Sequence, residues 1–403
     1  MILPPTYYDF VRKLRPFVAE FAEKDAQELL AQPLPPETIH SVDDYDSRFE
    51  LCIEQADEEM LERIANIRGV PVEYVRPEFD KIRLQARTQF AGLYSTVNHE
   101  YHSLVNFSLA GKKTFYFSDN LAEHLANTEI NLLSSLIQLP FPTCLFTFTS
   151  RSVINAIHNI RGDVGRWDMN AAGLDYSAPV SAFLTIHPAG AGLPGRKLLI
   201  CAWHARLPES SYLMLKRELY LGEDWSLEQS LRTDWETLTP ENLGIGLSVN
   251  VNDGTIAHQD DDRFYTDGLT FYRIILNALL YLSSDQAELT VKASPCKEIE
   301  DRARGITSRP KRRKLLQTTN RYSTLDYQEV GASVDPIVIQ KCATEGSGVG
   351  NFSGKPLVRF IVRGHWRRQS HGPENQERKL IWIRPYYKGP DLAATINKPY
   401  LVK

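Results

Sequence analysis

The sequence predicts an α+β protein: a helical N-terminal part, a central mixed α/β core and a small β-rich C-terminal unit with a basic hairpin loop. Three observations carry this reading. The first third repeats apolar residues at helical spacing. The centre holds short apolar, β-branched runs of strand length. The last third turns basic and aperiodic: residues 301–403 carry 20 Lys/Arg against 8 Asp/Glu, and residues 1–300 carry 26 against 42. The whole chain has a formal charge of only −4, so the asymmetry is one of distribution. It suggests two surfaces with different partners, or basic and acidic parts that pair within the chain.

Length and texture divide the 403 residues. The expected parts are a helical extension (1–74), a central α+β domain (75–295), a basic linker (296–333) and a C-terminal β-rich basic unit (334–403). In the extension, Phe10, Leu14, Phe17, Val18 and Phe21 fall near one helical face within 8–30. Pro33, Pro35 and Pro36 then break the chain. Cys52, Ala56, Met60 and Ile64 are four apart over 47–68, an amphipathic helix with a solvated acidic side. Pro71 and Pro77 bracket the next turn. Phe79, Ile82, Ala86 and Phe90 continue at helical spacing, and Gly92 is expected to end that helix.

The central strands are predicted at KTFYF (113–117), TCLFTF (143–148), VSAFLTI (180–186) and KLLICAW (197–203). Asn120 and Glu123 have capping-box spacing before a helix. GLTFYRIILNALLYL (268–282) is apolar on nearly every side and too long for a strand, so it reads as a buried central helix with Asp267 as its cap. Residues 296–330 lack apolar periodicity and include the run Lys311, Arg312, Arg313, Lys314, expected in a loop. VDPIVIQ (334–340) is a further strand, and GSGVGNFSG (346–354) a flexible turn. LVRFIV and KLIWIRPYY then pair as a hairpin, with RGHWRRQSHGPENQER as its long connection.

That connection is the candidate site, open to three readings: a catalytic site, a binding surface, or a structural loop whose arginines pair with acidic residues of the first domain. His365 and His371 are the candidate proton carriers, with Arg363, Arg367, Arg368 and Arg378 as cations for phosphate. Trp366 and Trp382 are core residues of a small domain or stacking platforms for bases, and Tyr386 and Tyr387 are further candidates for stacking. Other polar clusters are Asp163, Asp168 and Asp175; His258, Asp260, Asp261 and Asp262; and His99 and His102, which are three apart. None has ligand spacing, so no metal or cofactor is predicted. GxSxG, Walker, CxxC and dinucleotide motifs are absent, which argues against a common metabolic enzyme. Five cysteines without paired spacing point to free thiols and a reducing cytosol. The first residues do not read as a signal peptide and no run suits a membrane span, so a cytoplasmic protein is expected.

The C-terminal residues also resemble a known family. Arg363-Gly364-His365-Trp366, a glycine-bearing turn and a closing strand with Trp382 are similar to the end of the anti-CRISPR proteins that down-regulate the type V-A CRISPR effector nuclease. Leu139-Pro140 before Cys144, SAFLTIH (181–187) and the helix FYRIILNALLYLSSDQAEL (271–289) match in order, across about residues 80–390. The turn Gln369-Ser370-His371-Gly372-Pro373 departs from the family's pattern. The resemblance implies a protein that recognises the nascent polypeptide of a type V effector and triggers loss of its messenger RNA, through a peptide-binding surface and contact with RNA or the ribosome. The residues alone leave other readings open: an endoribonuclease such as a toxin, with the hairpin loop as its site, or a non-catalytic nucleic-acid-binding plasmid or phage protein.

Overall fold

Strands made of consecutive apolar residues need cover on both faces, and here a seven-stranded sheet lies between two helical layers. The computed structural model describes residues 1–32, 47–89, 91–159, 177–189, 194–206, 211–236, 261–340 and 360–388. The N-terminal helices are α1 (Tyr7–Leu14), α2 (Pro16–Leu30), α3 (Ser47–Arg68), α4 (Val72–Gln89) and α5 (Ala91–Leu109). There follow β1 (Thr114–Phe117), α6 (Asp119–Ala126), β2 (Thr143–Phe148), α7 (Arg151–Asn159), β3 (Val180–Pro188), β4 (Arg196–Arg206), β5 (Ser211–Leu221), α8 (Leu227–Glu236) and α9 (Asp261–Leu282). The chain continues with β6 (Leu289–Lys292), α10 (Pro295–Arg304), α11 (Arg309–Gln317) and β7 (Tyr327–Val330). Last come β8 (Ile339–Gln340), β9 (Phe360–Val362), β10 (His365–His371), β11 (Glu377–Ile383) and β12 (Tyr386–Lys388).

The large sheet has the order β5-β4-β3-β2-β1-β7-β6. β1 runs parallel to β2 and to β7, and the other pairs are antiparallel. All six residues of β2 are buried. Cys144, Phe146 and Phe148 join the core under α6, α7 and α9, while Leu145 joins the core under α1, α2 and α5. Alternation along one strand thus feeds both layers. The expected central helix is α9, apolar on most sides because it is enclosed by the sheet, α6 and α7.

Several local expectations are corrected. Residues 8–30 form two helices, split where Arg15 leaves helical geometry and Pro16 starts α2. Pro77 lies inside α4 rather than in a turn. Gly92 falls in the first turn of α5 and does not end a helix; Phe90 lies outside the described residues. The cap of α6 is Ser118, whose side chain accepts from the Leu121 N–H at 3.2 Å, and not Asn120. α9 starts at Asp261, six residues before the expected cap Asp267. The strand expected over 334–340 is reduced to Ile339–Gln340.

The larger difference concerns residues 296–333, expected as an aperiodic linker. They hold α10, α11 and β7, and β7 sits inside the sheet between β1 and β6. Asp9 of α1 accepts hydrogen bonds from Ser323 Oγ (2.7 Å) and Thr324 N (2.9 Å), which ties this segment to the N-terminal layer. Helical periodicity fails to show α11 because that helix buries no side chain. The turn 346–354 lies outside the described residues.

Candidate functional site

The expected hairpin pairs in a different register. β10 and β11 are antiparallel from His365↔Ile383 to His371↔Glu377, and β9 pairs with β12 from Val362↔Tyr386 to Phe360↔Lys388. The basic stretch read as a connecting loop is therefore itself a strand, and only residues 372–376 turn the chain. Phe360–Val362 meets the YYK end of its partner, and KLIWI meets HWRRQ. Burial decides this: the register sets Trp366 directly opposite Trp382 on one face, with stacked rings 6.1 Å apart.

Those two rings anchor the ribbon. They are 7% and 2% exposed and belong to the same core as α9 and the sheet, not to a separate small core. Trp366 Nε1 donates to Asn277 Oδ1 (2.8 Å), and Asn277 Nδ2 donates to the Leu125 and Thr128 carbonyls (2.9 Å each). Trp382 Nε1 donates to Thr128 Oγ1 (3.1 Å), and its ring meets His124 and Tyr281 edge-on. Asn277, a lone amide in an apolar helix, was missed by the sequence reading. Its signal was that such a group must find partners when buried. Gly364 is the closest approach: its N–H donates to Asn127 O (2.9 Å), its carbonyl accepts from Glu129 N (2.8 Å), and a Cβ there would lie 2.7 Å from both Ile383 O and Thr128 Oγ1.

Beyond the tryptophans the ribbon runs out from the core. Its inner face passes from Trp382 through half-buried Leu380 to exposed Arg378, which bonds Ser370. The other face carries His365, Arg367, Gln369 and His371. Arg367 Nη2 donates to Gln369 (2.6 Å), and His371 Nε2 lies 3.2 Å from Glu377 Oε2. Arg363, half-buried, and exposed Arg368 complete the group. His365 and His371 are six residues apart on one extended strand, about 20 Å at the usual rise. The structure does not bring these two imidazoles together, so they cannot serve one phosphodiester as acid and base.

Lys311, Arg312, Arg313 and Lys314 lie on α11, a helix and not a loop. They are exposed, as is Arg309. These five cations have no ion-pair partner among the described residues. Arg309, Arg312, Arg313, Leu316, Gln317 and Asn320 line an open cleft of about 570 Å³. Arg309, Gln317 and Asn320 were not singled out in the sequence, although their helical spacing places them on one face with Arg312 and Arg313.

With these surfaces in place, the comparisons identify the chain's relatives. The AcrVA2-like model, the anti-CRISPR type V subtype A2 family, matches residues 115–387, more than half of the chain. The protein belongs to this anti-CRISPR family. Two solved chains match. One is the crystal structure of AcrVA2, at 13% identity, covering 84% of this chain and 95% of that chain, with a TM-score of 0.32. No curated protein matches.

The AcrVA2-like match runs from β1 into β12 and so includes α11 and the ribbon, while α1 to α5 precede it. The remaining candidates are structural or outside the described residues. His99 and His102 are buried in α5, and burial, with Lys216 nearby, lowers the His99 imidazole to about 4. Burial pushes the Cys144 and Cys201 thiols up to about 12, so neither is a ready nucleophile. Asp163, Asp168, Asp175, His258 and Asp260 lie outside the described residues, as do the side chains of Asp261 and Asp262. No metal-binding group occurs among the described residues, and no described helix is long and apolar enough to cross a membrane.

Proposed function

We propose that the protein is a mobile-element anti-CRISPR regulator acting in the cytoplasm. It recognises the nascent polypeptide of a type V CRISPR effector and lowers the effector's messenger RNA through protein and RNA or ribosome contacts. Membership of the anti-CRISPR family carries this reading. The build of the ribbon supports it: in Arg363-Gly364-His365-Trp366, glycine and tryptophan seat the strand, while His365 is left exposed beside Arg367. A surface held by a buried frame presents fixed donors to a partner without reorganising. The ribbon acts by binding.

The test is made in cells that express a type V effector. His365→Ala, Arg367→Ala and Arg363→Ala are each compared with the parent by effector messenger RNA level and by melting of the purified protein. We expect the message to recover while the melting midpoint of the His365 and Arg367 variants stays within about 0.5 kcal/mol of the parent's stability, as for exposed sites. His365→Gln should keep part of the effect, because an amide still donates a hydrogen bond. A message that stays low in all three variants would remove the ribbon from the mechanism.

A further inference from the structure

α10 and α11 pack against each other and are joined by four residues, 305–308, beginning with Gly305. Two short helices with a tight glycine-bearing turn make a unit that can present its second helix to a partner. The first helix is the mount. It buries Cys296 and Ala303, its cap Ser294 Oγ donates to Ser323 O (2.5 Å), and Ser294 N donates to Asp326 (2.9 Å). It also carries Glu298, Glu300 and Asp301, so it is not itself a cationic surface. The second helix is presented. RPKRRKLLQ buries nothing and holds five cations and no acid.

We infer that α11 is a recognition helix for duplex DNA, entering the major groove with the face of Arg309, Arg312, Arg313 and Gln317, extended by Asn320 in the 3-10 turn Thr318–Arg321 that follows it. Charge sets the class of partner, because cations on one short helix that are unpaired among the described residues match a row of phosphates. Size sets the form. A helix with its side chains is about 10–12 Å across and the B-form major groove about 12 Å wide, whereas the A-form groove of duplex RNA is too deep and narrow to admit it. Residue type fits reading as well as gripping: arginine pairs with guanine edges and the amides of Gln317 and Asn320 with adenine edges. The open cleft along this face leaves room for them. This site does not rest on effector recognition and is tested without any effector.

The probe is a labelled, mixed-sequence DNA duplex of about two helical turns, compared by anisotropy with an RNA duplex and a single-stranded RNA of the same sequence. DNA duplex should bind most tightly. The slope of log affinity against log salt should be about −4.5 if all five cations meet phosphate, a loss of about 500-fold between about 50 and 200 mM. Arg312→Ala with Arg313→Ala should reduce the slope by about two at unchanged melting. Lysine at both positions should keep the slope and lose discrimination between duplexes of different sequence. Equal or tighter binding to either RNA, an unchanged affinity in the double alanine variant, or no binding at the lower salt would overturn the assignment.

Discussion

The ribbon β10–β11 and the helix α11 are both basic, and they are built in opposite ways. The ribbon alternates: near its base Gly364, Trp366 and Trp382 are driven into the core, and the residues between them face outward. Several of its basic residues have partners, as Lys379 has in Asp285 (3.4 Å) and His371 in Glu377. α11 sends no side chain into the core, and its five cations stand unpaired among the described residues. Net charge alone therefore does not separate a scaffold-bearing surface from one that exists for its charge. Burial of the neighbouring residues does.

The sharpest way to break this contrast is to remove an anchor. Trp382→Ala should cost about 3–5 kcal/mol, read as a denaturant midpoint, because a buried ring leaves a cavity and Thr128 loses a donor. A neutral result would mean that the ribbon is not seated in the core. Acid tests the body that carries both regions. The His99 imidazole is held down to about 4, chiefly by burial, so the unfolded chain takes up the proton first. That contribution is complete above the ordinary histidine value of about 6.5 and is lost as pH falls toward 4, by up to about 3 kcal/mol. Urea midpoints at pH 7 and 4.5 should fall less for His99→Gln than for the parent.

Trp366→Phe keeps most of the apolar ring but strands Asn277 Oδ1 without its donor, and should cost about 1–3 kcal/mol. A combined Trp366→Phe and Asn277→Leu variant should recover part of that loss, since both polar partners are then gone. The smallest effect belongs to α11. Replacing Lys311, Arg312, Arg313 and Lys314 together by Ala should change stability by no more than about 0.5 kcal/mol. A drop of several kcal/mol there would erase the distinction, because it would make α11 part of the scaffold.

Local periodicity made much of the fold readable before any tertiary contact was known. Strands β1 to β4, the amphipathic α3 and the enclosed α9 each follow from side chains a few residues apart, and the acid–base split follows from counting. Even α11 was legible in propensity, in Lys, Arg, Leu and Gln after Ser308 and Pro310, though not in amphipathicity, since it has no apolar face to repeat. Three features belonged to tertiary structure alone. β7 is an interior strand only because β1, about two hundred residues earlier, and β6 lie on either side of it. The ribbon's register depends on α9, since only against Asn277, Thr128 and Tyr281 must both tryptophans lie on one face. The roles within Arg363-Gly364-His365-Trp366 divide for the same reason: a strand alternates its side chains, and which half becomes scaffold is decided by the surface it is laid upon.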